Sequence, residues 1–212
     1  MKAAVFHAPN QPQTIEDVEI DNPGPREVLI RTSAAGLCHS DLHFIEGKYP
    51  TPVPTVLGHE SAGIVEAVGR DVTYVKPGDH VITCLSVFCG HCEFCLTGHM
   101  SICQAPEVKM LPGKAKRMRW KGAHLNQYLN LSSFAEQMLV HEHALVKVTP
   151  DMPLDLASLI GCGVMTGYGA IVHTAKVEPG STVAVVGCGG IGLAAINGAE
   201  IAGAGRIIAI DK

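Results

Sequence analysis

Short apolar runs separated by turns rich in proline and glycine characterise the first 150 residues. Segments 27–31, 62–68 and 80–82 have the length and apolar content of strands, and turn sequences such as Pro77-Gly78-Asp79 separate them. Segment 139–148 returns to the same pattern, whereas 104–131 has no clear periodicity and is predicted to be a long loop or insertion. The pattern predicts a β-rich region.

A different pattern follows residue 150. Segments 154–157 and 164–174 are apolar and predicted helical, and 182–186 is an unbroken apolar run of the kind buried in a parallel sheet. An alanine-rich helix is predicted over 191–202 and a second apolar strand over 206–210. We therefore predict a β-α-β unit, with the change of domain near residue 150.

Composition narrows the possible classes of protein. The chain of 212 residues is 47% hydrophobic with a net charge of −4, which predicts a packed core and no nucleic-acid partner, although 114–121 is locally basic. The N-terminus has no apolar stretch typical of a secretory signal, and no run of 18 apolar residues occurs. We expect a cytoplasmic protein without a membrane partner, in which the 8 cysteines are more suited to metal than to disulfides.

A glycine-rich turn connects the predicted strand and helix. Residues 187–192 read GCGGIG, a G-x-G-x-x-G match, and Asp211 follows at roughly the 20-residue spacing of an acidic ribose ligand. Such a turn presents backbone N–H groups to a pyrophosphate, and the carboxylate favours NAD over NADP because it repels a 2′-phosphate. A purely structural glycine turn in another α/β fold is the alternative.

Four cysteines lie close together in sequence. Their spacing is C-x2-C-x2-C-x7-C, and thiolates arranged in this way suit a closed tetrahedral zinc site. An iron–sulfur cluster is an alternative, but its bacterial signature has three residues before the last cysteine and a proline after it. Disulfides are a second alternative. The four residues are Cys89, Cys92, Cys95 and Cys103.

Further reactive side chains occur in three separate segments. Residues 36–43 read GLCHSDLH, 58–60 read GHE and 161–163 read GCG. A lone cysteine is usually a small core residue and a lone histidine a satisfied polar group, so each segment by itself indicates little. Five further side chains are interpreted as structural: Cys84, Cys188, His141, His143 and Trp120.

Taken together, these motifs resemble the zinc-containing medium-chain alcohol dehydrogenases. The correspondence runs in order through 36–43, 58–69 (GHESAGIVEAVG), the four-cysteine lobe, 161–170 (GCGVMTGYGA), 183–193 (VAVVGCGGIGL) and 207–211 (IIAID). The resemblance implies a β-rich GroES-like catalytic domain over 1–150, with a structural zinc lobe at 84–104. The start of an α/β Rossmann domain, its first β-α-β unit, would follow over 151–212.

The resemblance also implies roles for individual residues. Cys38, His59 and Cys162 would ligate a catalytic zinc, Glu60 would be a transient ligand, and Asp41 would orient His59. Ser40 would accept the alcohol proton and His43 would release it at the surface. The residues expected at the NAD site are His39, Thr166, Gly187, Gly189, Gly190, Ile191, Gly192, Asp211 and Lys212.

The implied reaction interconverts a small alcohol and its aldehyde or ketone with NAD, in a full-length homodimer or homotetramer. An aldehyde reductase or polyol enzyme of the same family is one alternative, and a zinc-stabilised GroES-like binding module with a vestigial cofactor turn is another. Segment 104–131 resembles the longer loop of the glutathione-dependent formaldehyde dehydrogenase branch, but 44–56 does not follow that branch. Because the resemblance ends after the second Rossmann strand, we expect residues 1–212 to bind NAD poorly and to turn over little.

Overall fold

The computed structural model describes residues 1–108 and 117–212, which form two compact units, Met1–Ser158 and Leu159–Lys212. The division falls somewhat later than the predicted change near residue 150. The predicted loop 104–131 and basic segment 114–121 lie partly outside the described residues.

The first unit is built mainly of strands. They are β1 (Lys2–Phe6), β2 (Thr14–Asp17), β3 (Glu19–Ile20), β4 (Glu27–Gly36), β5 (Thr55–Val56), β6 (Glu60–Val68), β7 (His80–Thr83), β8 (Met118–Trp120), β9 (Ala123–Gln127), β10 (Gln137–His141) and β11 (Leu145–Val148). Its helices are short: α1 (His39–Ile45), α2 (Glu93–Leu96) and α3 (Leu154–Ala157), with 3₁₀ turns at Met100–Ile102 and Glu142–Ala144.

These strands form two sheets. Among the described residues, one sheet has the order β2-β1-β5-β9-β8-β3 and the other the order β10-β4-β6-β7-β11. Alternate residues of β4 point into the core, so that Val28 and Ile30 are fully buried beside Val65 of β6 and Val140 of β10. Burial of each such side chain stabilises the fold by about 1.5–3 kcal/mol, and this shared core fixes the register of the second sheet.

The prediction of a loop over 104–131 is wrong for its second half. Strands β8 and β9 form an antiparallel hairpin in which Trp120 pairs with Ala123. The two turn residues, Lys121 and Gly122, both have positive φ values, 50° and 76°, as a tight two-residue hairpin turn requires. Lysine is an unusual residue for the first of these positions, so the sequence carried a weak turn signal.

The second unit matches the predicted β-α-β pattern. Strand β12 (Thr182–Val186) is followed by helix α5 (Gly190–Ile201) and strand β13 (Arg206–Ile210), and the two strands pair in parallel. A helical segment precedes them, with α4 (Met165–Gly169) between π-helical turns at Ile160–Val164 and Ala170–Ala175. Ile171, Val185, Ala195 and Ala199 form the core of this unit.

One helical segment, Leu154–Ala175, is long and apolar enough to cross a membrane, with a mean hydropathy of 1.4. This criterion rests on length and composition, which the core helices of soluble proteins also meet, so a single segment of this kind is weak evidence.

Candidate functional site

The pairing of β4 with β6 brings two predicted metal ligands together. Gly36, the last residue of β4, lies opposite Glu60, the first residue of β6. Cys38 follows the end of β4 and His59 precedes the start of β6, so both leave the sheet at the same edge. The ligand atoms of Cys38, His59 and Glu60 lie within 4.8 Å of one another, and His59 and Glu60 are buried.

Asp41 of α1 connects these residues through its buried carboxylate. It accepts hydrogen bonds from the backbone N–H of Gly58 at 3.0 Å and of Cys38 at 3.4 Å. Nδ1 of His59 lies 3.3–3.4 Å from the two carboxylate oxygens. If Nδ1 donates to Asp41, Nε2 of His59 retains the lone pair that a metal ion needs. The orienting role of Asp41 stays a prediction, and this contact is the geometry that such a role requires.

Gly58 occupies a position that no other residue fits without strain. Its φ is +94°, and a Cβ built there would lie 2.5 Å from Oγ of Ser133 and 2.8 Å from the backbone nitrogen of Phe134. The backbone N–H of Ser133 donates to the carbonyl of Gly58. Gly58, the residue before His59, is therefore held by Asp41 through its N–H and by Ser133 through its carbonyl.

The remaining predicted residues of α1 lie on the solvent side of this cluster. Oγ of Ser40 is 3.6 Å from Sγ of Cys38. The ring of His43 packs edge-on against His39 and Tyr49, at centroid distances of 5.9 and 5.5 Å. Ser40 and His39 are exposed and His43 is half-buried, so these side chains can exchange protons with solvent.

Cys162 and Thr166 belong to the second unit. Cys162 lies in the π-helical turn Ile160–Val164, and Thr166 follows in α4. Single π-helical turns are frequent at functional positions in helices. The assignment of Cys162 to the same metal site as Cys38 and His59 stays a prediction.

The four cysteines of the predicted zinc lobe converge. Sγ of Cys92 is 3.5 Å from that of Cys95 and 3.8 Å from that of Cys103, and Sγ of Cys89 is 3.9 Å from that of Cys95. These separations are far longer than a disulfide bond of about 2.05 Å. They match the edge of about 3.8 Å expected between ligands of a tetrahedral site with Zn–S bonds of about 2.3 Å. The geometry fits one four-coordinate metal ion.

The backbone of the lobe also favours thiolate ligands. The N–H groups of His91 and Cys92 both donate to Sγ of Cys89. The backbone N–H of Cys95 lowers the pKa of the Cys92 thiol to about 6, whereas burial raises the pKa of the Cys95 thiol to about 11. A neighbouring metal cation would favour the deprotonated form of every thiol in the lobe.

The lobe has little regular structure, but two of its cysteines join the main core. Cys89 and Cys103 are buried in the same apolar cluster as Val28 and Val87. The ring of His143 stacks on Phe88 at 4.6 Å, and Nδ1 of His143 bonds the Phe88 carbonyl at 2.7 Å. His143 was predicted to be structural, but this contact could not be predicted from the sequence because Phe88 and His143 are far apart in the chain.

The glycines of the predicted cofactor turn have three different environments. Gly187 has a φ of +92°, and a Cβ on Gly192 would lie 1.8 Å from the Gly187 carbonyl oxygen, so α5 packs directly on the turn. A Cβ on Gly189 or Gly190 would meet no heavy atom of the described residues within 4 Å. Open backbone at this position, beside the N-terminus of α5, is suited to an anionic group.

Asp211 closes the same turn from the end of β13. Its carboxylate accepts the backbone N–H of Cys188 at 2.6 Å and that of Lys212 at 2.7 Å. These two hydrogen bonds hold the pKa of Asp211 below its usual value. The carboxylate is therefore charged at neutral pH and fixed against the glycine-rich turn.

Two aromatic side chains near the metal cluster were not found by the sequence analysis. Tyr128 packs edge-on against His59 with ring centroids 5.8 Å apart, and Phe44 packs against Tyr128 at 5.1 Å. Tyr128 follows β9, within the segment that was predicted to be a loop. No local motif marks a residue whose importance comes from a contact of this kind.

The chain thus combines a buried cluster of candidate metal ligands, a four-sulfur lobe and a β-α-β unit with a glycine-rich turn. A family model described as "Alcohol dehydrogenase GroES-like domain" matches residues 24–151. The chain belongs to this family.

Similar proteins support the assignment. An alcohol dehydrogenase class-3 of Pisum sativum is 46% identical over 99% of this chain and 57% of its own length. A solved alcohol dehydrogenase zinc-binding domain protein from Burkholderia ambifaria is 40% identical, with a TM-score of 0.91 over 99% of this chain and 58% of that one. The solved benzyl alcohol dehydrogenase of Acinetobacter calcoaceticus is 38% identical, with a TM-score of 0.88 over 99% of this chain and 58% of that one. The chain thus spans somewhat more than half the length of these relatives.

Proposed function

We propose that this chain carries the metal centres and the first cofactor-binding unit of a zinc-dependent, NAD-using alcohol oxidoreductase. The observation that carries the proposal is the cluster of Cys38, His59 and Glu60, with His59 oriented by Asp41. A thiolate, an imidazole and a carboxylate with a dedicated orienting partner are the donors of a catalytic rather than a closed zinc site. The alcohol dehydrogenase relatives point to the same chemistry.

In this proposal Cys38, His59 and Cys162 hold the catalytic zinc, and Glu60 is positioned to replace one ligand transiently. Bound zinc supplies a Lewis acid that lowers the pKa of a coordinated alcohol and polarises the carbonyl of an aldehyde. Asp41 keeps His59 in the tautomer that can bind metal, and burial of the Asp41–His59 pair excludes water from its hydrogen bond. The proposed substrate is a small alcohol or aldehyde.

Proton transfer is assigned to two side chains of α1. Ser40, whose Oγ lies 3.6 Å from Sγ of Cys38, accepts the alcohol proton, because its hydroxyl both accepts and donates a hydrogen bond. His43 exchanges that proton with solvent, since an imidazole ring can both accept and donate a proton and this ring is only partly buried.

A second, structural zinc is proposed at Cys89, Cys92, Cys95 and Cys103. Its support is the match between the sulfur separations and a tetrahedral thiolate site. The role of this metal is to hold a lobe that has only one short helix and one 3₁₀ turn among its described residues.

The glycine-rich turn of the second unit is proposed to begin a Rossmann domain that binds NAD. Gly189, Gly190 and Ile191 present open backbone to the pyrophosphate, and the Asp211 carboxylate faces the adenosine ribose, where it would repel the 2′-phosphate of NADP. His39, Thr166 and Lys212 are further proposed contacts of the cofactor.

Metal analysis tests the proposal directly. We expect the purified chain to contain two zinc ions, of which Cys38→Ala removes one and Cys92→Ala the other. The matched control is Cys188→Ala, which changes a cysteine outside both clusters and leaves both ions. One zinc that is insensitive to Cys38→Ala would instead indicate a zinc-stabilised GroES-like binding module with a vestigial cofactor turn.

The reaction itself requires a second measurement. The complete open reading frame that contains this chain is assayed against a panel of primary and secondary alcohols with NAD and with NADP. We expect NAD-dependent oxidation, and a substantial loss of kcat in Ser40→Ala with zinc content unchanged. If no alcohol of the panel is oxidised with either NAD or NADP, the proposal is contradicted.

A further inference from the structure

Two exposed side chains beside the four-cysteine lobe form a second set of metal donors. Nε2 of His91 lies 3.0 Å from Oε1 of Glu107, and both atoms lie within 4.8 Å of Sγ of Cys89. The side chains of His91 and Glu107 are 70% and 51% exposed, whereas Cys89 is 5% exposed. The three donors therefore extend from solvent to one buried sulfur of the lobe.

A cavity of about 340 Å³ lies along this path. His91, Glu107 and Cys89 are among the residues that line it. The sulfur of a four-cysteine site is thus reached through a space whose walls carry an imidazole and a carboxylate.

Among the residues that the structure describes, the other charged side chains that line the cavity are already compensated. Arg26 binds the buried Glu142 at 2.7 Å, and Arg117 binds Glu27 at 2.5 Å. Because each guanidinium is neutralised by its own carboxylate, neither leaves a strong unpaired positive charge at the cavity. The exposed groups at this cavity that can bind a small divalent cation are therefore the imidazole of His91 and the carboxylate of Glu107.

Stability does not explain the His91–Glu107 pair. An ion pair with both partners exposed contributes about 0–1 kcal/mol at most. The donor types, by contrast, are those that zinc uses in proteins, and the 3.0 Å separation is near the edge of about 3.3 Å between nitrogen and oxygen ligands of one tetrahedral zinc.

We propose that His91 and Glu107, with Cys89, form a loading site at which zinc from solution binds first before it enters the four-cysteine lobe. The inference rests on the proposed structural zinc. During transfer the ion stays Zn²⁺ and keeps its bond to Cys89. The imidazole of His91, the carboxylate of Glu107 and one bound water are exchanged for the sulfurs of Cys92, Cys95 and Cys103, whose thiol protons pass to water, as the thiol proton of Cys89 does when the ion first binds.

The test follows metal uptake by the metal-free chain. Cobalt(II) is the probe, because its thiolate complexes absorb light and report the filling of the four-cysteine lobe in a stopped-flow experiment. His91→Ala and Glu107→Gln are expected to slow uptake about tenfold, at the lower end of the gain in association rate that a charged site gives. The final cobalt content of the lobe should be unchanged, since neither residue remains a ligand.

His99→Ala and Glu93→Gln are matched controls, because both residues are exposed on the same lobe and lie outside the donor set. They should take up cobalt at the wild-type rate. The loading site is overturned if His91→Ala and Glu107→Gln also take up cobalt at the wild-type rate, or if the uptake rate of the control variants falls equally. It is also overturned if His91→Ala and Glu107→Gln bind less cobalt than the wild type at equilibrium. If the wild-type chain shows no thiolate absorption and Cys92→Ala changes nothing, the proposed structural zinc site is contradicted as well. This outcome differs from failure of the loading site alone, in which the lobe still binds cobalt.

Discussion

The carboxylate of Asp41 lies within hydrogen-bond distance of Nδ1 of His59, and both side chains are buried. Asp41→Asn removes the charge that fixes the imidazole. We expect a 10- to 100-fold loss of zinc affinity at the site of Cys38 and His59, in the range found for groups that orient metal ligands. Competition with a chromophoric chelator measures this affinity.

Asp17→Asn is the control for that variant. Asp17 is 82% exposed and pairs with Lys2 at the surface, so the same change of charge there should leave zinc affinity unaltered. An Asp41→Asn protein that binds zinc as tightly as the wild type would show that the hydrogen bond to His59 has no role in metal binding.

Gly58→Ala should destabilise the first unit by about 3 kcal/mol, since left-handed strain and overpacking each cost about 1–3 kcal/mol. Gly98→Ala separates the two effects: Gly98 has a similar φ of +83°, but a Cβ there would meet no described heavy atom within 4 Å. We expect that variant to lose about 1–2 kcal/mol. Urea denaturation gives both free energies of unfolding, and equal losses would argue against the clash with Ser133 and Phe134.

Substitutions of two glycines in the cofactor turn should have opposite consequences. Gly192→Ala places a methyl group against the Gly187 carbonyl and should destabilise the second unit by about 1–3 kcal/mol. Gly189→Ala has room and should keep stability within about 0.5 kcal/mol. Its methyl group, however, occupies the backbone surface proposed for the pyrophosphate, and we expect about tenfold weaker NAD binding, or about 1.4 kcal/mol.

The measurements for this pair are thermal unfolding and NAD titration of the complete open reading frame. Unchanged NAD affinity in Gly189→Ala would contradict the proposed cofactor turn. Unchanged stability in Gly192→Ala would contradict the close packing of α5 on the turn.

Acid stability should depend on Glu16. Its carboxylate accepts hydrogen bonds from Thr14, His7 and Trp120, which lower its pKa to about 2 from an ordinary value of 4.5. A carboxyl group whose folded pKa is depressed contributes stability above its unfolded pKa, and that contribution is lost as the pH falls from about 4.5 to about 2.

Glu16→Gln should therefore flatten the fall of the melting temperature between pH 4.5 and pH 2. Glu178→Gln, at an exposed glutamate of the second unit, is the control and should follow the wild-type curve. Parallel curves for wild type and Glu16→Gln would show that these hydrogen bonds do not favour the charged form.

The sequence predicted best what depends on local spacing. The four cysteines lie close together in the chain, so their convergence required no knowledge of the fold, and β12 and β13 have the bounds that their apolar runs indicated. The hairpin of β8 and β9 was missed because Lys121 adopts a left-handed conformation that lysine rarely favours. The contact of Tyr128 with His59 was also missed, since it is created by packing between distant segments.

Because Gly36 pairs with Glu60 in the sheet, the distance between Cys38 and His59 depends on the alignment of β4 with β6. The ladder between β4 and β6 contains two irregularities, between Leu29 and Ile30 and between Thr32 and Ala34, and its alignment is held by the core side chains that the two strands share. A slip of one residue would send the side chains of β6 to opposite faces and separate His59 from Cys38. A metal ion held by both would bind the native alignment and not the slipped one. Besides its proposed role in the reaction, it would therefore stabilise the correct strand register.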